Sequence, residues 1–122
     1  MITISTIIKV QKIWSYQTLV YKNGNRSFPK KEYKAYQKEI ALQINKMKNI
    51  TDKRDLAVTL TFNCKNRTVG DIDNITKPIL DTLQRNKKIF DDRYITKLKV
   101  LKTFGNKENT IEILVEERGN ND

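Results

Sequence analysis

Leu56-Ala57-Val58-Thr59-Leu60-Thr61-Phe62, linked through Cys64 to Gly70 with Asp71-Ile72-Asp73-Asn74-Ile75-Thr76-Lys77, is the stretch from which the fold can be read. Leu56, Val58, Leu60 and Phe62 alternate with smaller or hydroxylated residues, the period of a strand with one face in a core. The link runs straight into Asp71, so the acids stand at a strand-to-helix junction. A helix is expected from about Asp73 to Arg85, burying Ile75, Ile79, Leu80 and Leu83. Asp73 and Asn74 both suit its N-cap. Pro78 has no amide and belongs in a first turn, which favours Asn74 or a later residue as the cap.

Downstream, Asn86-Lys87-Lys88 closes this helix and Ile89-Phe90 returns to the core. Asp91-Asp92-Arg93 turns the chain into a strand from Tyr94 to Phe104, and Ile111, Ile113 and Val115 mark a last one. Upstream, Ile2 to Val10 reads as a first strand. Thr18 to Phe28 carries Asn23-Gly24 between β-prone runs and reads as a hairpin, with Arg26 near its tip. Pro29 suits the first turn of a helix whose stripe is Tyr33, Tyr36, Ile40, Ile44 and Met47. These elements predict an α+β fold, one domain over residues 1–118 with a mixed sheet packed with two main helices, and a flexible tail over 119–122.

The chain has 122 residues, 24 Lys plus Arg against 14 acids, and a net charge of +10. That length suits one domain, and that charge suits a polyanion such as nucleic acid. No apolar run is long enough to span a bilayer and the start lacks a basic, then apolar leader, so the reading is a cytoplasmic protein without a membrane partner. The single Cys64 forbids an internal disulfide. The absence of histidine excludes His-based zinc and general-base chemistry. No Gly-rich loop ends in Gly-Lys-Ser/Thr, so no nucleotide cofactor is expected. Residues 1–50 hold ten basic residues and two acids, Glu32 and Glu39, which makes the amino-terminal half the more suitable polyanion surface. Lys30 and Lys31 open a lysine-rich helix face, Lys65 and Arg67 precede the acids, and Lys87 and Lys88 follow the second helix; with Arg26 these are the candidate DNA contacts. A solvated helix surface explains the lysines as readily.

Five aspartates, Asp71, Asp73, Asp81, Asp91 and Asp92, fall between positions 71 and 92 of this basic chain. Carboxylates brought together repel unless a cation joins them, and hard divalent ions such as Mg²⁺ or Mn²⁺ prefer such oxygens. A metal-assisted phosphodiester hydrolysis is the functional reading. On a helix, Lys77 lies one turn beyond Asp73 and Asp81 one turn further. Asp91 and Asp92 join Asp71 and Asp73 only if Ile89-Phe90 runs back towards the helix start. Taken singly, Asp-x-Asp also suits a cap and Lys77 with Asp81 an ordinary surface pair.

The run Asp71-Ile72-Asp73-Asn74-Ile75-Thr76-Lys77-Pro78-Ile79-Leu80-Asp81-Thr82-Leu83, followed by Asp91-Asp92, resembles the signature of the RusA family of Holliday junction resolvases, commonly encoded by phages and prophages. The resemblance extends from about Arg26 to Val115. It implies a Mg²⁺-dependent endonuclease that binds four-way junction DNA as a homodimer and makes paired symmetric nicks in recombination and repair. It implies Asp71, Asp73 and Asp92 as metal-binding catalytic acids, Lys77 as the catalytic lysine, Asp91 as a further candidate ligand, and Asn74 and Asp81 as supporting positions. The segment Lys9 to Tyr16 departs from the family by lacking a proline. Trp14 and Tyr16 suit packing in a core or dimer interface, or stacking on opened bases. A carboxylate nuclease for other DNA structures and a non-catalytic basic DNA-binding protein are the rival readings.

Overall fold

The protein is described by a computed structural model over residues 1–119. The alternating stretch forms β4 (Leu56–Asn63), whose Leu56, Val58, Leu60 and Phe62 are buried. Around it the chain places β1 (Thr3–Val10), α1 (Tyr16–Leu19), β2 (Val20–Asn23), β3 (Arg26–Pro29), α2 (Lys31–Ile44), α3 (Ile72–Arg85), a 3₁₀ turn (Asp92–Tyr94), β5 (Ile95–Thr103) and β6 (Asn109–Glu117). The main sheet has the order β1-β6-β4-β5, and β2-β3 forms a separate hairpin. β6 runs antiparallel to β1 and β4, while β5 runs parallel to β4. A parallel neighbour requires a crossover, and α3 supplies it. The mixed sheet and the two longer helices agree with the expected α+β domain.

The helices cover one face of the sheet. α2 contributes Tyr33, Tyr36, Ile40 and Ile44 and α3 contributes Ile75, Ile79 and Leu83 to a core shared with β1, β4 and β6. Burial of these side chains, rather than helix propensity, holds both helices in place.

Four local expectations are corrected. Pro29 ends β3 opposite Val20 instead of opening a helix, and Lys30 is the N-cap of α2, its carbonyl accepting from the Tyr33 amide at 3.0 Å while its amide donates to the Leu19 carbonyl at 2.8 Å. α3 begins at Ile72 with Asp71 as its N-cap, earlier than Pro78 suggests. Pro78 therefore lies beyond the first turn, leaving the Asn74 carbonyl without its helical amide. The burial of Ile75, Pro78 and Ile79 outweighs that lost bond. The hairpin turns at Gly24-Asn25, since Asn23 pairs with Arg26, and Gly24 takes the left-handed φ of 65°. Thr18 and Leu19, read as the start of the hairpin, instead end a single helical turn over Tyr16–Leu19, closed by the Ser15 carbonyl on the Thr18 amide and hydroxyl. The expected tail over 119–122 lies, from residue 120 on, outside the described residues.

Candidate active site

The acids are positioned by the two ends of α3. At its start, Asp71 is the N-cap: its carbonyl accepts from the Ile75 amide at 3.0 Å, while its exposed carboxylate makes no capping bond. Gly70 makes this turn possible, because a Cβ there would stand 2.7 Å from Ser15 Cβ. Asp73 is exposed in the first turn, where the helix dipole favours its charge. One turn on, the Lys77 ammonium sits 4.5 Å from the centre of the Tyr16 ring. Another turn on, Asp81 accepts a 2.6 Å hydrogen bond from the Tyr33 hydroxyl. Asn74 is half-buried beside them. The single stripe of Asp73, Lys77 and Asp81 expected from helical spacing is formed.

Tyr33 ties α2 to α3 at this stripe. Burial, followed by its bond to Asp81, pushes its hydroxyl far above the ordinary tyrosine range, so it remains a donor to Asp81. Its ring meets Tyr16 edge-on with centroids 6.0 Å apart. Tyr16, Tyr33, Lys34, Lys38, Asp81 and Arg85 line an open cleft of about 700 Å³ between the hairpin and the two helices.

Asp91 and Asp92 stand at the other end of α3. Asp91 caps the 3₁₀ turn by accepting from the Arg93 amide at 3.0 Å, and this bond holds its carboxyl below the usual carboxylate range. The Asp92 amide donates to Gln84 Oε1 at 3.0 Å, which fastens the turn to the last part of α3. Partial withdrawal from water, reinforced by Asp91 and Asp81, pushes the Asp92 carboxyl up. Ile89-Phe90 does not run back to the helix start. Asp71 and Gln84 stand at opposite ends of α3, roughly 20 Å of helix apart, so Asp92, bonded to Gln84, is well removed from Asp71. Among the described residues no three acids or cysteines gather closely enough to hold a metal ion. The donor type suits a hard cation, but the ligand set within one chain is incomplete.

The candidate DNA contacts separate into two kinds. Arg26, Lys31, Lys65, Arg67 and Lys87 are exposed, Lys30 is half-buried, and the Arg67 guanidinium rests 4.6 Å from the centre of the Phe104 ring. Lys88 is corrected: it is buried, and its ammonium donates to the Met47 carbonyl at 2.8 Å and to Asn49 Oδ1 at 2.6 Å. Those oxygens belong to the chain leaving α2, so Lys88 is a structural clamp rather than a phosphate contact. Lys102, not singled out from the sequence, donates to the Gly70 carbonyl at 3.3 Å and adds a cation next to Asp71. Tyr33 and Gln84 were also missed, because their partnerships with Asp81 and Asp92 leave no local sequence signal. Cys64 is fully buried just beyond β4, and burial pushes its thiol up.

The model of one protein family, described as endodeoxyribonuclease RusA, matches residues 11–116. No curated protein matches the chain.

Proposed function

The chain belongs to the RusA family of endodeoxyribonucleases, and from that membership we propose that it resolves four-way DNA junctions by paired, symmetric nicks as a Mg²⁺-dependent homodimer. The observation that carries this reading is the family match spanning both acid groups, joined to the exposed Asp71 and Asp73 at the start of α3 with Lys77 one turn on. Asp71, Asp73 and Asp92 are the proposed metal-binding acids, with Asp91 beside them; Mn²⁺ is the natural substitute. A divalent ion in such a centre neutralises the scissile phosphate and activates water for in-line attack.

The chain's own residues account for the rest. Lys77, held at the Tyr16 ring, presents a cation to the scissile phosphate. Tyr33 fixes Asp81, whose charge adds to the upward push on the Asp92 carboxyl. Arg26, Lys30, Lys31, Lys65, Arg67 and Lys87 supply the positive field that tracks the DNA backbone.

Because one chain holds Asp92 away from Asp71 and Asp73, a centre using all three takes Asp92 from a second copy. A two-fold dimer then carries two such centres, one for each of two opposed strands. Mixing two inactive variants tests this arrangement. Asp71→Asn and Asp92→Asn subunits, once exchanged, rebuild one intact centre per mixed dimer and recover nicking of a single strand; a centre contained in one chain recovers nothing.

A further inference from the structure

We infer that the cleft between the hairpin and the two helices holds one unpaired nucleotide of a DNA strand, an inference that rests on the DNA reading above. The proposed cleavage uses Tyr33 and Asp81 at the wall of this cleft and leaves its cations without a role. At about 700 Å³ it falls within the range of roughly 300–1,000 Å³ over which proteins enclose small ligands.

The cations come from two elements. Lys34 and Lys38 stand one turn apart on α2, and Arg85 lies in the last turn of α3. All three are exposed, and among the described residues none forms a salt bridge or a side-chain hydrogen bond. α2 has two acids, Glu32 and Glu39, and neither lines the cleft; Glu39 accepts instead from the Gln11 amide at 3.3 Å. The one acid in the lining is Asp81, whose carboxylate is engaged by the Tyr33 hydroxyl. Like charges one turn apart on a helix repel, so an anion received between α2 and α3 relieves a cost that the chain itself leaves standing. Lysine and arginine together suit a phosphate.

The rest of the lining suits a base. Tyr16 is half-buried and meets Tyr33 edge-on, while Val20 and Pro29 of the hairpin supply an apolar wall. Amide side chains stand among them with bonding capacity to spare. Gln37 makes no side-chain hydrogen bond among the described residues. Gln84 uses its oxygen on the Asp92 amide and keeps its NH₂, whereas Asn86 uses its NH₂ on the Thr82 carbonyl and keeps its oxygen. Aromatic and apolar surface receives the face of a base, and unspent amides receive its edge. A base paired and stacked in a duplex presents neither, so the occupant is unpaired. Tyr16 also carries the Lys77 ammonium 4.5 Å from its ring centre, so a nucleotide seated in the cleft neighbours the lysine proposed to face the scissile phosphate.

The probe is a single-stranded tetradeoxynucleotide, added to the full chain in EDTA so that no strand is cut. Amide NMR shifts locate it, and fluorescence anisotropy of a dye-labelled copy measures its affinity. Shifts centred on Ser27, Gln37, Gln84 and Asn86 are expected; shifts confined to other residues overturn the site. The triple variant Lys34→Ala, Lys38→Ala, Arg85→Ala is expected to bind about tenfold or more weakly at unchanged circular dichroism. Lys46→Ala, Lys48→Ala, Lys53→Ala removes the same charge from exposed lysines outside the cleft and is expected to stay within about threefold of the parent. Equal losses in the two variants reduce the effect to net charge and overturn the site. An abasic strand of the same length is expected to bind about tenfold or more weakly, and one that binds as well as the natural strand removes the base from the inference and overturns it. A free deoxynucleoside monophosphate that binds as tightly as the strand overturns the assignment to a strand. Binding is read without cleavage: occupancy of the cleft in a chain that nicks no junction upholds the cleft and fails the nuclease reading, whereas nicking with no shift at the cleft fails the cleft alone.

Discussion

Asp71 and Lys88 show how differently two polar residues of the same chain are used. Asp71 leaves its carboxylate exposed although its backbone caps α3, which suits a group reserved for a cation. Asp71→Asn, which keeps the shape and removes the charge, is expected to reduce nicking by about a hundredfold or more while junction binding survives or tightens, as read by gel shift beside a cleavage assay. Lys88 faces inward. Lys88→Ala leaves buried acceptors around Asn45 to Asn49 without their donor and is expected to lower unfolding stability by about 1–3 kcal/mol, with little change in DNA affinity. Lys65→Ala with Arg67→Ala gives the opposite pattern, weaker and less salt-dependent binding at unchanged stability. Both lysines looked alike in the sequence. Only the path of the chain after α2 decides which of them reaches solvent.

At the scale of elements, periodicity was a sound guide wherever burial dominates. The alternation of Leu56 to Phe62 became β4, and the stripe from Tyr33 to Met47 became the buried side of α2 and its exit. Proline misled, because the burial of α3 outweighs one missing hydrogen bond at Pro78 and the hairpin absorbs Pro29 at its end. The acids at the start of α3 were legible as candidates, but their distance from Asp92 was not. That distance is set by Gln84 holding the 3₁₀ turn at the far end of the helix. The junction between β4 and α3 depends on Gly70, which passes too close to Ser15 for any side chain. Gly70→Ala is expected to lower stability by about 1–3 kcal/mol in a denaturant titration and, by displacing Asp71, to reduce nicking further than the loss of folded protein explains.

For the whole molecule, charge and topology act together. A chain of net charge +10 supplies a general attraction for DNA, against which the aspartates at the two ends of α3 stand out. The crossover from β4 through α3 to β5 keeps those ends apart within one copy. The proposed two-fold dimer joins them between copies, giving two centres related by symmetry for the two opposed strands of a four-way junction. The direct measurement is incubation of the purified chain with a labelled immobile four-way junction and with linear duplex of the same sequence, each with Mg²⁺ and with EDTA, resolved on a denaturing gel. Paired nicks at symmetric positions in the junction alone, absent in EDTA, are the predicted result. Tight junction binding with no cleavage in Mg²⁺ or Mn²⁺, or equal cutting of the linear duplex, would contradict it.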